Sequence, residues 1–60
     1  MTLYIYKVIS ESWDGTRGKR AKTIERFKPN LEVGGLYVHL GKGFPGMHRV
    51  LSMETKDLPD

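Results

Sequence analysis

Cysteine is absent from this 60-residue chain. Disulfides, iron–sulfur clusters, thiolate zinc sites and a cysteine nucleophile are thereby excluded, and a reducing cytoplasm is the expected compartment. Long apolar runs are also missing. The longest, Leu3 to Tyr6, is four residues, against the roughly 18–20 that a membrane-crossing helix needs. Neither a transmembrane helix nor a signal peptide is expected, and no membrane partner. Acidic residues are scarce in the first half: residues 1–30 carry seven basic and three acidic side chains, net +4, and residues 31–60 carry three basic and four acidic, net −1. The length allows one small domain, without room for a cofactor domain beside a substrate domain. Such a chain buries only about 60% of the surface its unfolded form exposes, so its core is thin unless a second copy packs against it.

What is present argues for a folded protein. Apolar residues make up 38% of the chain and charged residues of both signs 28%, too hydrophobic and too mixed in sign for disorder. Leu3 to Ile9 is built from β-branched and aromatic residues and reads as a first strand, with Leu3, Ile5, Lys7 and Ile9 on one face and Tyr4, Tyr6 and Val8 on the other. Ser10 to Lys19 turns polar around the Asp14-Gly15 turn pair and reads as a long hairpin loop carrying Trp13. Arg20 to Phe27 fits a second strand pairing back onto the first. The spacing of Ala21, Ile24 and Phe27 leaves a helix as the alternative.

Leu36 to Leu40 alternates cleanly as a third strand, and Met47 to Met53 forms a fourth across a glycine-rich loop. A symmetric six-residue loop pairs Leu40 with Met47, His39 with His48, Val38 with Arg49, Tyr37 with Val50 and Leu36 with Leu51. The expected core is Leu3, Ile5, Val8, Ile24, Leu36, Val38, Leu40, Val50 and Leu51. Four short strands with no parallel crossover predict an all-β fold: a single antiparallel SH3-like barrel of four to five strands over residues 1–55, with a frayed acidic tail at 56–60.

Two patterns look chemical and are read as structural. Gly41-Lys42-Gly43-Phe44-Pro45-Gly46 spells the dinucleotide-binding G-x-G-x-x-G. That fingerprint needs a helix after it to present amides to a pyrophosphate, and Met47 onward reads as a strand, so the segment is expected to be a hairpin turn. His39 and His48 face one another in the expected pairing, but two imidazoles without a carboxylate are too few for a metal site. No nucleophile elbow, P-loop or close carboxylate pair is present. No catalytic residue, metal or small-molecule cofactor is therefore expected, and the protein reads as a binding module.

The strongest functional signal is basic. Arg17, Lys19, Arg20, Lys22, Arg26 and Lys28, offset only by Glu25, give net +5 over twelve residues. Such patches bind phosphate backbones through counterion release, and Trp13, Tyr4, Tyr6 and Phe27 are aromatics available to stack on bases. On a strand, Arg20, Lys22, Arg26 and Lys28 share one face. The same cations would also protect an edge strand from aggregation. The alternative partner is a protein or a second copy, met through Tyr4, Tyr6 and Trp13, through Lys42 and Phe44 at the tip of the glycine loop, or through an open strand edge. Trp13 is expected to fold back as a lid over the barrel end, with an exposed contact role as the other option.

Gly35-x-Tyr37-x-His39, followed by a glycine-containing turn, Arg49-Val50-Leu51 and Met53-Glu54-Thr55, resembles the Gly-x-Tyr-x-His … Tyr-x-Val … Glu-Thr pattern of a family of small bacterial SH3-like barrel domains of unknown function. The resemblance covers about residues 34–55. His48 stands near that family's Tyr, the turn is longer, and the His that usually precedes Glu-Thr is absent. The resemblance implies an SH3-like barrel and no particular activity.

Overall fold

A computed structural model describes every residue except Phe44 and Asp60. Its four strands are β1 (Thr2–Glu11), β2 (Arg17–Arg26), β3 (Leu36–His39) and β4 (Gly46–Asp57). They form one antiparallel sheet in the order β2-β1-β4-β3, curled into a half-barrel consistent with a small SH3-like barrel. The described residues contain no helix, so residues 20–27 take the strand alternative.

β1 is central because its β-branched and aromatic residues suit a strand flanked on both sides. It pairs with β2 from Tyr4 opposite Arg26 to Ile9 opposite Ala21, and with β4 from Thr2 opposite Asp57 to Ser10 opposite His48. β4 therefore runs past Thr55, where the sequence suggested fraying. Two irregularities bend the sheet. Between Lys7–Ser52 and Val8–Val50, Leu51 is an extra residue on β4. Between Ile9–Ala21 and Glu11–Arg17, residues 18–20 lie opposite Ser10 alone. Bulges of this kind increase local twist and help a sheet curl.

The β1–β2 connection is shorter than expected. The Gly15 amide donates to the Ser12 carbonyl and the Ser12 amide to the Thr16 carbonyl, with Gly15 at φ 93°. A glycine takes that left-handed conformation without steric cost, which is why Asp14-Gly15 makes the turn. Trp13 at its corner is 90% exposed. It is no lid: the turn closes tightly and projects the indole off the end of the sheet.

In the second hairpin Leu36 pairs with Arg49, Tyr37 with His48, Val38 with Met47 and His39 with Gly46. The expected pairing was displaced by two residues, so each side chain keeps its face, but His39 and His48 are not opposite. β4 follows the glycine loop directly, with Gly46 at φ 116°; the G-x-G-x-x-G run leads into a strand.

Val8, Ile24 and Val50 are buried as expected and Tyr6 joins them, but on β3 the covered face is the opposite of the one expected. These four are the buried apolar core, with Tyr4, Leu31 and Tyr37 packed against them. β2 and β3 occupy opposite edges, so the 27–35 connection must travel from one edge to the other, and it brings Leu31 onto this concave face. There the Gly34 amide donates to the Val50 carbonyl and the Val50 amide to the Gly35 carbonyl. Leu36, Val38 and Leu40, expected in the core, are 53%, 55% and 89% exposed. Leu3, Ile5 and Leu51 are half-buried on strands without becoming core. Among the described residues no helix is long and apolar enough to cross a membrane.

Candidate nucleic-acid interface

β2 forms an entire edge of the sheet, and along it only Ile24 is buried and only Arg26 half-buried. Lys22, Ile24 and Arg26 stand opposite Val8, Tyr6 and Tyr4, so they share the concave face: the isoleucine enters the core while the two cations flank it. Arg20 and Lys19 lie in the bulge opposite Ser10, and Lys28 lies in the bend after the strand. The stripe is therefore less regular than the single face expected for Arg20, Lys22, Arg26 and Lys28. Lys19, Arg20, Lys22 and Lys28 are all exposed.

Arg17 is tied back to β1. Arg17 Nε donates to Glu11 Oε2 at 3.2 Å. Arg49 binds the same carboxylate through two nitrogens, Nε to Oε2 at 3.1 Å and Nη2 to Oε1 at 2.7 Å, while its Nη1 donates to the Gly34 carbonyl at 2.7 Å. This paired fork ties β1, β4 and the 27–35 connection together. Glu11 and Arg17 are direct cross-strand neighbours flanking the tight turn around Asp14, a signal available in the sequence. Arg49 was not legible, because its place depends on the β4 register.

Hydrogen bonds from Arg49 and Arg17 hold the Glu11 carboxyl below its ordinary value of 4.5, Arg49 contributing most. The carboxylate thus favours the folded state at neutral pH and loses that advantage as pH falls below about 4.5. The sign follows because a depressed folded-state pKa means the unfolded chain binds the proton more readily. Melting temperature should fall on acidification through this range. Glu11→Gln should lower the melting temperature at neutral pH and flatten the acid limb. An unchanged limb in thermal melts across pH would refute the role assigned to Glu11. Asp14, lowered through hydrogen bonds from Thr16, leaves a residual slope.

Arg26 closes the mouth of the half-barrel. Its Nη2 donates to the Tyr37 hydroxyl at 2.8 Å, across from one edge strand to the other. The Tyr37 hydroxyl lies 2.8 Å from His39 Nδ1, and His39 Nε2 lies 3.2 Å from the Lys42 carbonyl. A carbonyl only accepts, so in neutral His39 Nε2 carries the proton and Nδ1 accepts from Tyr37. The Tyr37 ring lies between the two imidazoles, with centroids 5.9 Å from His39 and 6.3 Å from His48. His48 is buried. Instead of a facing pair, the histidines are neighbours of one tyrosine.

Of the aromatics expected to contact a partner, Tyr6 is fully buried and Tyr4 is half-buried against the core. Trp13 and Phe27 are 90% and 62% exposed, Trp13 in the turn before β2 and Phe27 just after the strand. Lys42 is exposed in the glycine loop, and Phe44 lies outside the described residues. The candidate surface is thus a cationic edge with an aromatic at either end. No protein-family model matches the chain, and no curated protein or solved structure matches it.

Proposed function

We propose that this chain is a non-enzymatic binding module that associates with nucleic acid along β2. One observation carries the proposal: an exposed ten-residue edge strand that, with the bend after it, displays Lys19, Arg20, Lys22 and Lys28. Cations strung along one edge of a sheet can track the phosphates of a nucleic-acid strand, and contacts of this kind need no pocket. Exposed Trp13 and Phe27 supply faces on which unpaired bases stack, which favours single strands over duplex. The Gly35-x-Tyr37-x-His39 and Glu54-Thr55 signatures on β3 and β4 support kinship with the small bacterial SH3-like domains. The cysteine-free composition fits a reducing cytoplasm.

An amide NMR titration with single- and double-stranded oligonucleotides tests the proposal. Shifts are expected on residues 19–28 and on the Trp13 indole, disappearing as salt is raised. No shift at low salt would assign the cations to edge protection alone.

A further inference from the structure

The chain exposes more surface than its mass requires. Its accessible area is 4674 Å², whereas a compact monomer of 6.9 kDa exposes about 4000 Å². Its radius of gyration is 12.1 Å, against about 10.4 Å for a compact domain of this length. The excess of roughly 700 Å² is close to the ~800 Å² per partner that a standard protein interface buries.

The apolar part of that surface is localised. On the convex face, the lower strands mix Leu3 and Ile5 with charge: Ile5 stands between Glu25 and Glu54, and Leu3 faces Lys56. The β3 end is different. Leu36 and Val38 are more than half exposed there, on the same face as their cross-strand partners Arg49 and Met47. An open groove of about 490 Å³ beside them is lined by Trp13, Leu36 and Met47, with the Glu11–Arg49 pair at its side.

Backbone geometry favours the same edge. The Val50 amide donates to the Gly35 carbonyl; by strand alternation, the amides and carbonyls of Leu36 and Val38 then point away from β4, toward the open side. β2, the other edge, carries the lysines and arginines that discourage strand pairing, whereas β3 carries no charge other than that available to His39.

We propose that β3 is a homodimer interface, in which a second copy of this chain pairs antiparallel with β3 about a two-fold axis at Tyr37. Leu36 of each copy then lies opposite Val38 of the other. Both residues exchange outward-pointing backbone hydrogen bonds with the partner, and the four side chains form one apolar strip on the convex face, continued by Met47 and Trp13. The contact is self-complementary, as two-fold symmetry requires. It leaves both β2 edges at the outside of an eight-stranded sheet, where their positive charges are far apart. The inference does not rest on nucleic-acid binding.

Sedimentation equilibrium of the full chain without nucleic acid, from low micromolar to millimolar concentration, tests the interface. The mass is expected to rise from one 6.9 kDa chain to two. Leu36→Lys with Val38→Lys, which sets like charges opposite one another across the two-fold, should weaken self-association by about a hundredfold or more. Leu36→Thr with Val38→Thr, which keeps strand propensity, should also weaken it, while Lys19→Glu should not. Isotope-filtered NOEs between labelled and unlabelled wild-type copies read the Leu36–Val38 contact without any substitution. A folded wild type that stays monomeric at millimolar concentration overturns the proposal. So does a dimer lacking these NOEs, or one that the folded threonine variant forms equally well.

Discussion

Tyr6→Ala is expected to leave the chain largely unfolded at room temperature. Truncating a buried aromatic to alanine costs about 3–5 kcal/mol, and a domain of this length has a total stability of roughly 3–9 kcal/mol. Few other contacts compensate, because the buried apolar core comprises Tyr6, Val8, Ile24 and Val50, of which Tyr6 is the largest. Tyr6→Phe should behave in the opposite way. The Tyr6 hydroxyl is buried with no hydrogen-bond partner among the described residues, so its removal sacrifices no bond and relieves a desolvated polar group. A gain of up to about 1 kcal/mol is expected, or roughly 4–8 °C in melting temperature. Urea titrations followed by circular dichroism, at one protein concentration so that self-association does not bias the comparison, give both values. A Tyr6→Ala protein with an unchanged midpoint would mean that the core lies elsewhere.

The second large effect concerns the β2 edge. Lys19, Arg20, Lys22 and Lys28 are exposed along β2 and the bend after it, so about four phosphates are neutralised when they bind. Four contacts give a log–log salt slope near −2.8 on single strands, or about a fiftyfold loss of affinity between roughly 50 and 200 mM salt. Arg20→Glu with Lys22→Glu removes two contacts and adds two repulsive charges. Binding should become undetectable at moderate salt, and any residual slope should fall to half or less. Both positions are exposed, so the melting temperature should hardly change. Unaltered affinity in this folded variant would eliminate β2 as the interface. A slope well above that for four contacts would bring Arg17 and Arg26 into it, at the expense of the contacts that now hold them.

The four strands and the Asp14-Gly15 turn were legible because β-branched residues, alternation and turn dipeptides are local signals. The covered face of β3 was not. Alternation along Leu36-Tyr37-Val38-His39 separates two faces but does not say which one the chain will cover, and hydrophobicity favours Leu36 and Val38. The 27–35 connection decides otherwise by crossing the face that holds Tyr6, Val8 and Val50. Tyr37 and His39 suit the mouth on that side because their polar tips reach Arg26 and the Lys42 carbonyl. The register of the second hairpin differs for a similar reason: a pairing symmetric about the glycine loop and the observed one are displaced by two residues, which leaves the face pattern unchanged. For the candidate site, the basic composition of β2 was legible. The Glu11–Arg17 pair across the local turn could also have been read, but the diversion of Arg26 could not, since its partner Tyr37 is brought to it by tertiary geometry.

The central position of β1 has a consequence for the order in which the molecule assembles. Its partners on β4 lie between 38 positions away, for Ser10 and His48, and 55 away, for Thr2 and Asp57. The β1–β2 hairpin closes early, within microseconds, but an isolated two-stranded hairpin is marginally stable in water. Nothing holds until β4 arrives and brings Val50 onto Tyr6 and Val8. Loop closure over such separations slows folding toward the millisecond-to-second range of non-local β proteins. On the ribosome, the first three strands must wait as an open chain until the fourth has emerged.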